Sequence, residues 1–173
     1  MADTGVAPTP KQCNRLMTGT CLGGAGALRR VPRAAPPSTD TSAAEGNGGL
    51  YSTGNDMARW LHHNLADSDP AVWPSLALAH AVYRQRQATI AAIGFDEAGM
   101  MDGLALAWVV VAAHGHMPLI LQKSGGGGGF MSYIAFIPGR DVGIFVGVNG
   151  VDFTMFFGLT MAANELLASL ALR

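Results

Sequence analysis

The chain has 173 residues, enough for one domain with a sizeable core. Apolar residues make up 49% of it and charged residues 13%, which excludes a disordered polyelectrolyte. A formal net charge of −1 with no basic cluster gives no footing for a nucleic-acid partner.

Residues 1–50 show little periodicity. The stretch from Gly23 to Gly49 mixes Gly, Ala, Pro, Ser and Thr with Arg29, Arg30 and Arg33, so an irregular N-terminal segment carrying a flexible insertion is expected. Cys13 and Cys21 sit close together in this loop-like region; they could pair in an oxidising compartment, and two unpaired thiols is the favoured reading. The start, Met-Ala-Asp-Thr-Gly, has neither the charged nor the apolar region of a signal peptide, so the chain as it stands is expected in the cytoplasm. No membrane span is expected, because the apolar run Leu104 to Ala113 is too short.

Order begins at "LYSTGNDMARWLHHNL". Thr53 with Asp56 three residues later is a capping-box pattern, and Met57, Trp60, Leu61 and Leu65 follow at helical spacing. A second helix is predicted from Asp69-Pro70 through Leu76, Leu78, Val82, Tyr83 and Ile90 to near Gly94, with Pro74 delaying its regular part. The pattern then turns strand-like in "LALAWVVVAA", "PLILQKS", "FMSYIAFIP" and "VGIFVGVN". Short connections imply antiparallel neighbours, and runs apolar on both faces imply a sheet covered on both sides. Gly143 and Gly147 share one face of the last strand and suit a closely packed helix, which Phe156, Leu159, Ala163, Leu166, Leu167 and Leu170 would supply. The expected fold class is α+β, a mainly antiparallel sheet of about four strands covered by helices.

The stretch "LILQKSGGGGGFMSYIAFIPG" admits three readings. A Walker loop requires glycines where Gln122 and Met117 stand, so that reading fails. A plain hairpin with a solvated lysine remains open, although five glycines exceed the needs of a tight turn. The third reading is a strand edge that takes an extended peptide-like ligand by main-chain hydrogen bonds. Lys123 would then face a carboxylate, Ser124 would add a hydroxyl, and the backbone N–H near Gly126 would address a polarised carbonyl oxygen.

"LQKSGGGGGFMSYIAFIPGRDVGIFVGVN" resembles the Lys-Thr-Gly strand and following hairpin of the serine β-lactamase and penicillin-binding-protein superfamily. The nearest branch is class C, with its D-alanyl-D-alanine carboxypeptidase relatives. "GGLYSTGNDMARWL" resembles a helix start of that branch, "GLALAWVVV" its Gly-Leu-Gly-Trp strand, and the last twenty residues its terminal helix. The resemblance implies a partial β-lactamase/transpeptidase-like fold, with residues 51–173 forming its C-terminal part. It implies hydrolysis of β-lactam or D-Ala-D-Ala amides through an acyl-serine, in the periplasm and without a cofactor. Lys123, Ser124, Gly125 and Gly126 would bind a small-molecule β-lactam or a peptidoglycan peptide.

The family's other two motifs do not follow from this sequence. Neither lysine, Lys11 or Lys123, stands three residues after a serine, and no Ser or Tyr has Asn two residues on. The nucleophile is therefore unknown, and the chain is expected to be the C-terminal part of a longer enzyme. An inactive remnant, a weak binding module and an esterase of the same superfamily stay open. Loss of the preceding elements would leave an exposed sheet edge and a tendency to self-associate.

Other candidates have plain explanations. His114 and His116 form a His-x-His without a third metal ligand in view, and His62 and His63 read as solvated helix residues. Ser52 has no base beside it and suits a cap or loop. Asp96, Glu97 and Asp102 read as solvated acids, and Met155, Phe156 and Phe157 as core.

Overall fold

A computed structural model describes residues 1–6, 8–22, 28–31, 49–65, 70–91 and 101–172. Helix α1 (Pro10–Cys13) opens on a capping box between Thr9 and Gln12. Strands β1 (Thr20–Leu22) and β2 (Leu28–Arg30) follow, so Arg29 and Arg30 lie in a strand where a loop was expected. The rest of that glycine- and proline-rich stretch, residues 23–27 and 32–48, lies outside the described residues. Cys13 and Cys21 are not joined in a disulfide; the Cys13 thiol lies 3.7 Å from Pro8 O, and Cys21 is on β1.

Helix α2 (Gly54–His63) starts where the capping pattern places it, with the Thr53 hydroxyl accepting from Asp56 N–H. The Asp56 side chain does not close the box. It turns instead to the N-terminal residues, accepting from Asp3 N–H at 2.8 Å and from the Thr4 hydroxyl at 2.9 Å, and it pairs with Arg59 at 2.8 Å.

Helix α3 (Trp73–His80) is much shorter than predicted, and Asp69, its expected start, lies outside the described residues. Pro74 sits in its first turn, and Ala81 leaves the helix in extended geometry with ψ 142°. The chain then enters β3 (Arg84–Gln85) and a 3-10 turn at Arg86–Ala88. Helix spacing misled here because Val82, Tyr83 and Ile90 are exposed, while the backbone of Tyr83 and Arg84 is taken up by pairing with Leu104.

Among the described residues the large sheet has six strands in the order β3-β4-β5-β6-β7-β8, all neighbours antiparallel, rather than about four. The added count comes partly from "LALAWVVVAA", which splits into β4 (Gly103–Leu104) and β5 (Val109–Val111) around a turn where Ala107 adopts φ 64°. Strands β6 (Ile120–Gly127), β7 (Phe130–Ile137) and β8 (Val142–Val148) form the sheet's long half. A second sheet, β2-β1-β9, uses β9 (Gly150–Val151) parallel to β1.

Helix α4 (Phe153–Ala171) covers one face of the large sheet, where Phe156, Ala163 and Leu167 pack with Ile120, Met131, Tyr133, Ala135 and Ile137. Helix α2 covers the other, where Leu61 and Leu65 meet Trp108, Val110, Leu121, Ile134 and Phe136. Each large apolar side chain buried this way contributes about 1.5–3 kcal/mol. The glycine on β8 serves a different helix from the one expected: a Cβ at Gly143 would meet Leu61 of α2, not α4. Leu166 and Leu170 of α4 are exposed, and Thr160 and Ala168 take inward positions in their place.

By length and composition α4 is also apolar enough to cross a membrane, which corrects the expectation drawn from the Leu104–Ala113 run alone. In this fold one of its faces is core against the sheet.

Candidate functional site

Strand β6 changes character along its length. Leu121 and Gln122 are paired on both sides, by β5 and by β7, and Ile120 is paired with β5. From Ser124 to Gly127 the ladder partner is β7 alone, and among the described residues no strand pairs on the other side. In an antiparallel ladder every second residue turns both its N–H and its C=O away from the partner strand, so this stretch presents backbone donors and acceptors at alternate positions, and an edge of this kind is a template for an added extended segment.

The five glycines divide by physical demand. Gly128 and Gly129 form the two-residue turn between β6 and β7, with φ 59° and 85°, the left-handed pair that a tight hairpin requires. Gly129 also lies under β1: a Cβ there would stand 2.6 Å from Thr20 N, and Thr20 N–H donates to Gly129 O at 3.0 Å. At Gly126 and Gly127 neither positive φ nor a tight neighbour forbids a side chain, since the nearest atom to a Cβ at Gly126 is 3.6 Å away and Gly127 has open space. These glycines are not needed by the fold, and they leave the strand edge bare.

Beside this edge lies a cleft of about 500 Å³. Lys123, Ser124, Gly125 and Gly126 all line it, so the residues singled out from the sequence share one cavity. The strand pleat nevertheless sends Lys123 and Ser124 to opposite faces. Lys123 stands opposite Ile134, on the α2 side, whereas Ser124 stands opposite Tyr133, on the α4 side. Met131, Val151, Phe153 and Phe156 also line the cleft. Sequence reading did not single them out for the cleft; Phe156 is core, as read, whereas Met155 and Phe157, also read as core, are exposed. Apolar residues carry no chemical signature, and only the approach of α4 to the hairpin brings them there.

Behind Ser124 the strand is anchored by a buried polar group. The Tyr133 hydroxyl bridges the side-chain amides of Gln122 and Asn164, 2.7 Å from the latter, and Tyr133 and Gln122 are both buried. Burial raises the Tyr133 phenol well above the ordinary tyrosine range, against a smaller opposing effect of Asn164. The Tyr133 hydroxyl thus stays a neutral phenol shared between two side-chain amides.

The remaining candidates have local partners. The His116 imidazole pairs with Glu165 of α4 at 2.9 Å, and His114 Nδ1 is 3.0 Å from Ala112 O. His63 stacks on Trp60 with centroids 5.7 Å apart, so it is not merely solvated. The Ser52 hydroxyl meets that of Thr4 at 2.8 Å. Asp102 is no free surface acid: its carboxylate accepts from Ala112 N–H at 2.8 Å and ties β4 to the end of β5. Asp96 and Glu97 lie outside the described residues.

His80, which stands in no motif, is buried between Trp108 and Phe136, with centroids at 6.3 and 5.0 Å. Its Nε2 lies 3.2 Å from Asn64 Oδ1, and its buried Nδ1 has no partner among the described residues.

Comparison with known proteins agrees with this architecture. The Beta-lactamase family model matches residues 1–168. The D-alanyl-D-alanine-carboxypeptidase/endopeptidase AmpH of Escherichia coli K12 is 36% identical over 171 residues, covering 99% of this chain and 41% of that protein. The chain therefore spans about two fifths of the length of this relative. A β-lactamase/D-alanine carboxypeptidase from Yersinia pestis, solved with citrate, superposes with a TM-score of 0.76 at 36% identity, over 98% of this chain and 45% of that one. A penicillin-binding protein homologue from Pyrococcus abyssi shares the fold at 19% identity and a TM-score of 0.66, over 98% of this chain and 34% of its own. The chain belongs to the Beta-lactamase family.

Proposed function

We propose that this chain carries the substrate-binding strand of a serine hydrolase acting on β-lactams or D-alanyl-D-alanine peptides, working in the periplasm. The observation that supports this reading best is the Ser124–Gly127 edge, which among the described residues has no strand partner on one side and opens to a cleft that Lys123 also lines. An anionic amide docks there in extended form. Lys123 sets a positive charge beside its carboxylate, the Ser124 hydroxyl adds a donor from the other face of the strand, the edge backbone holds its peptide groups, and N–H groups near Gly126 address the carbonyl that becomes an oxyanion.

The reaction of such a site is amide hydrolysis through an acyl-serine. None of this chain's serines stands three residues before a lysine, so its own residues bind and orient rather than attack. Binding and oxyanion stabilisation alone leave only about 10³–10⁴-fold acceleration over water. Reversible binding without fast turnover is therefore expected of these residues by themselves.

Titration of the chain with acetyl-D-alanyl-D-alanine, followed by amide shifts of residues 123–129, tests the reading. Saturable shifts lost in Lys123→Ala and weakened in Ser124→Ala support it; shifts indifferent to both substitutions overturn it. Covalent labelling by a fluorescent penicillin would instead reveal a nucleophile within the chain, and peptide mapping would locate it. Hydrolysis of p-nitrophenyl butyrate in place of peptide binding would favour an esterase.

A further inference from the structure

The two edges of the large sheet differ in how they meet solvent. At one end β3 is two residues long and carries Arg84, with Arg86 directly after it. A short, charged edge of that kind discourages pairing. At the other end stands β8, running from Val142 to Val148. It holds no charge and no proline, and it pairs with β7 residue for residue, without a bulge. Among the described residues no strand lies on its outer side, so alternate residues of β8 turn N–H and C=O groups outward.

Helix α4 continues this edge on one face of the sheet, where it rides over β7 and β8. Glu165 reaches His116 in the β5–β6 connection, and Asn164 reaches the Tyr133 hydroxyl that also meets Gln122 of β6. The flank carrying them is therefore turned toward β6 and β5. With about 3.6 residues per turn, Met155, Leu159, Leu166 and Leu170 fall on the opposite flank, on the β8 side. Met155, Leu166 and Leu170 are 43%, 48% and 40% exposed. Strand edge and helix flank thus form one continuous apolar surface, of the kind that marks an interface.

We infer that this surface joins two copies of the chain, β8 against β8 about a two-fold axis, into one continuous antiparallel sheet. Antiparallel pairing of identical strands is self-complementary, so a single open edge suffices and the assembly closes. Full overlap of the two strands sets Phe145 on the axis and Gly143 opposite Gly147 of the second copy. That register suits α2, which meets β8 through Leu61 at Gly143, because Gly147 is exposed and has no side chain to obstruct the helix. The spacing suits α4 as well. An axis normal to the sheet keeps both α4 helices on one face, and at a strand separation of about 4.8 Å a helix seated between β7 and β8 stands about 10 Å from its copy. Packed helices lie about 8–10 Å apart. The strand is about 23 Å long and the strand and helix layers about 20 Å deep, giving roughly 500 Å² a side, the lower limit for a specific interface. A reversible dimer is expected. A strand from another protein would satisfy the edge backbone and leave Met155, Leu166 and Leu170 in water, whereas a second copy covers both.

The test is sedimentation velocity of the whole chain from about 1 to about 500 μM, the range in which a small interface assembles, with amide hydrogen exchange measured at both ends. A species of twice the chain's 18.0 kDa is expected at high concentration, with newly slowed exchange at the outward amides of residues 142–148. Gly147→Lys sets a cation on the exposed strand edge, and Leu166→Lys sets one on the helix flank; each is expected to weaken association at least tenfold. Phe157→Lys, equally exposed on the other flank of α4, is expected to leave association unchanged. Leu166→Lys decides alone if circular dichroism shows that Gly147→Lys disturbs the fold. A chain that stays monomeric throughout, with β8 amides exchanging alike at every concentration, overturns the pairing and leaves the edge to a different protein's strand. Association insensitive to both strand and flank substitutions overturns it, as does association lost equally in Phe157→Lys or growth into open-ended aggregates. Slowed exchange at residues 124–127 in place of 142–148 overturns it too and moves the contact to the β6 edge.

Discussion

Leu61 fills the space that a side chain at Gly143 would need: a Cβ on that glycine would stand 2.7 Å from Leu61 Cδ1 and 2.9 Å from Cγ. The close approach lets α2 settle onto β8 and seals the core around Phe136 and Trp108. Gly143→Ala is therefore expected to destabilise the fold by about 1–3 kcal/mol, the range for overpacking a tight contact. Urea denaturation measures the loss. Adding Leu61→Ala should recover part of it, since the second change removes the clashing atoms. Two losses that simply add would show that the contact does not govern the site.

Asp56 joins the first residues of the chain to α2. Burial by itself would raise its pKa, but the N–H of Asp3, the Thr4 hydroxyl and the Arg59 guanidinium outweigh it and hold the carboxyl below its ordinary value. A carboxyl depressed in the folded state contributes its full stability above the unfolded pKa of about 3.9, and loses it as pH falls through the lower folded value. Asp56→Asn should lower the melting temperature at pH 7 and flatten its decline in acid. Thermal unfolding followed from pH 7 to pH 2 checks both, and identical acid limbs would remove Asp56 from the account.

How much of this was legible in the sequence depended on how local the governing contact is. The Thr53 cap needs only a hydroxyl followed by a free N–H three residues later, and it formed as read. Strands β6 to β8 announced themselves by β-branched and aromatic runs separated by turn residues. Val82, Tyr83 and Ile90 kept helical spacing, yet the backbone there is committed to Leu104, a partner twenty residues away that spacing cannot reveal. The helix beneath Gly143 could not be chosen from sequence either, because both α2 and α4 offer leucines. Of the residues lining the cleft, Lys123 and Ser124 stand out in the sequence because charge and hydroxyl are chemical labels. Phe153 and Val151 do not, since a turn and a second sheet bring them to the cleft.

His80 carries a pH dependence of the opposite limb. Burial lowers its pKa, and the imidazole sits between Trp108 and Phe136 with no partner for Nδ1 among the described residues. Protonation would place charge on that nitrogen in apolar surroundings. Above about pH 6.5 the imidazole is neutral both folded and unfolded, so it contributes no pH dependence. Below that, the unfolded chain binds the proton first, and stability falls by at most about 1.4 kcal/mol per pH unit until the lower folded value is reached. Denaturant midpoints measured between pH 8 and pH 5 should drop for the wild type and stay flatter for His80→Gln, which keeps a donor for Asn64 Oδ1. Equal slopes would mean that His80 titrates normally in the fold.

The glycine run offers a way to separate folding from binding within a few residues. Gly129 combines φ 85° with a Cβ position 2.6 Å from the β1 backbone, so Gly129→Ala strains the turn and forces the two sheets apart. A cost of about 1–3 kcal/mol follows from the backbone strain alone. Gly127 has neither constraint, and Gly127→Ala should change stability by no more than about 0.5 kcal/mol. Gly126 stands opposite Met131, whose Cγ would lie 3.9 Å from a new Cβ in ordinary contact, so Gly126→Val should fold normally while its methyls enter the cleft. Binding of acetyl-D-alanyl-D-alanine to Gly126→Val should weaken by about tenfold or more, as expected when side-chain bulk displaces a docked strand. Undiminished binding in Gly126→Val, with unfolding curves matching the wild type, would mean that ligands do not lie along this edge.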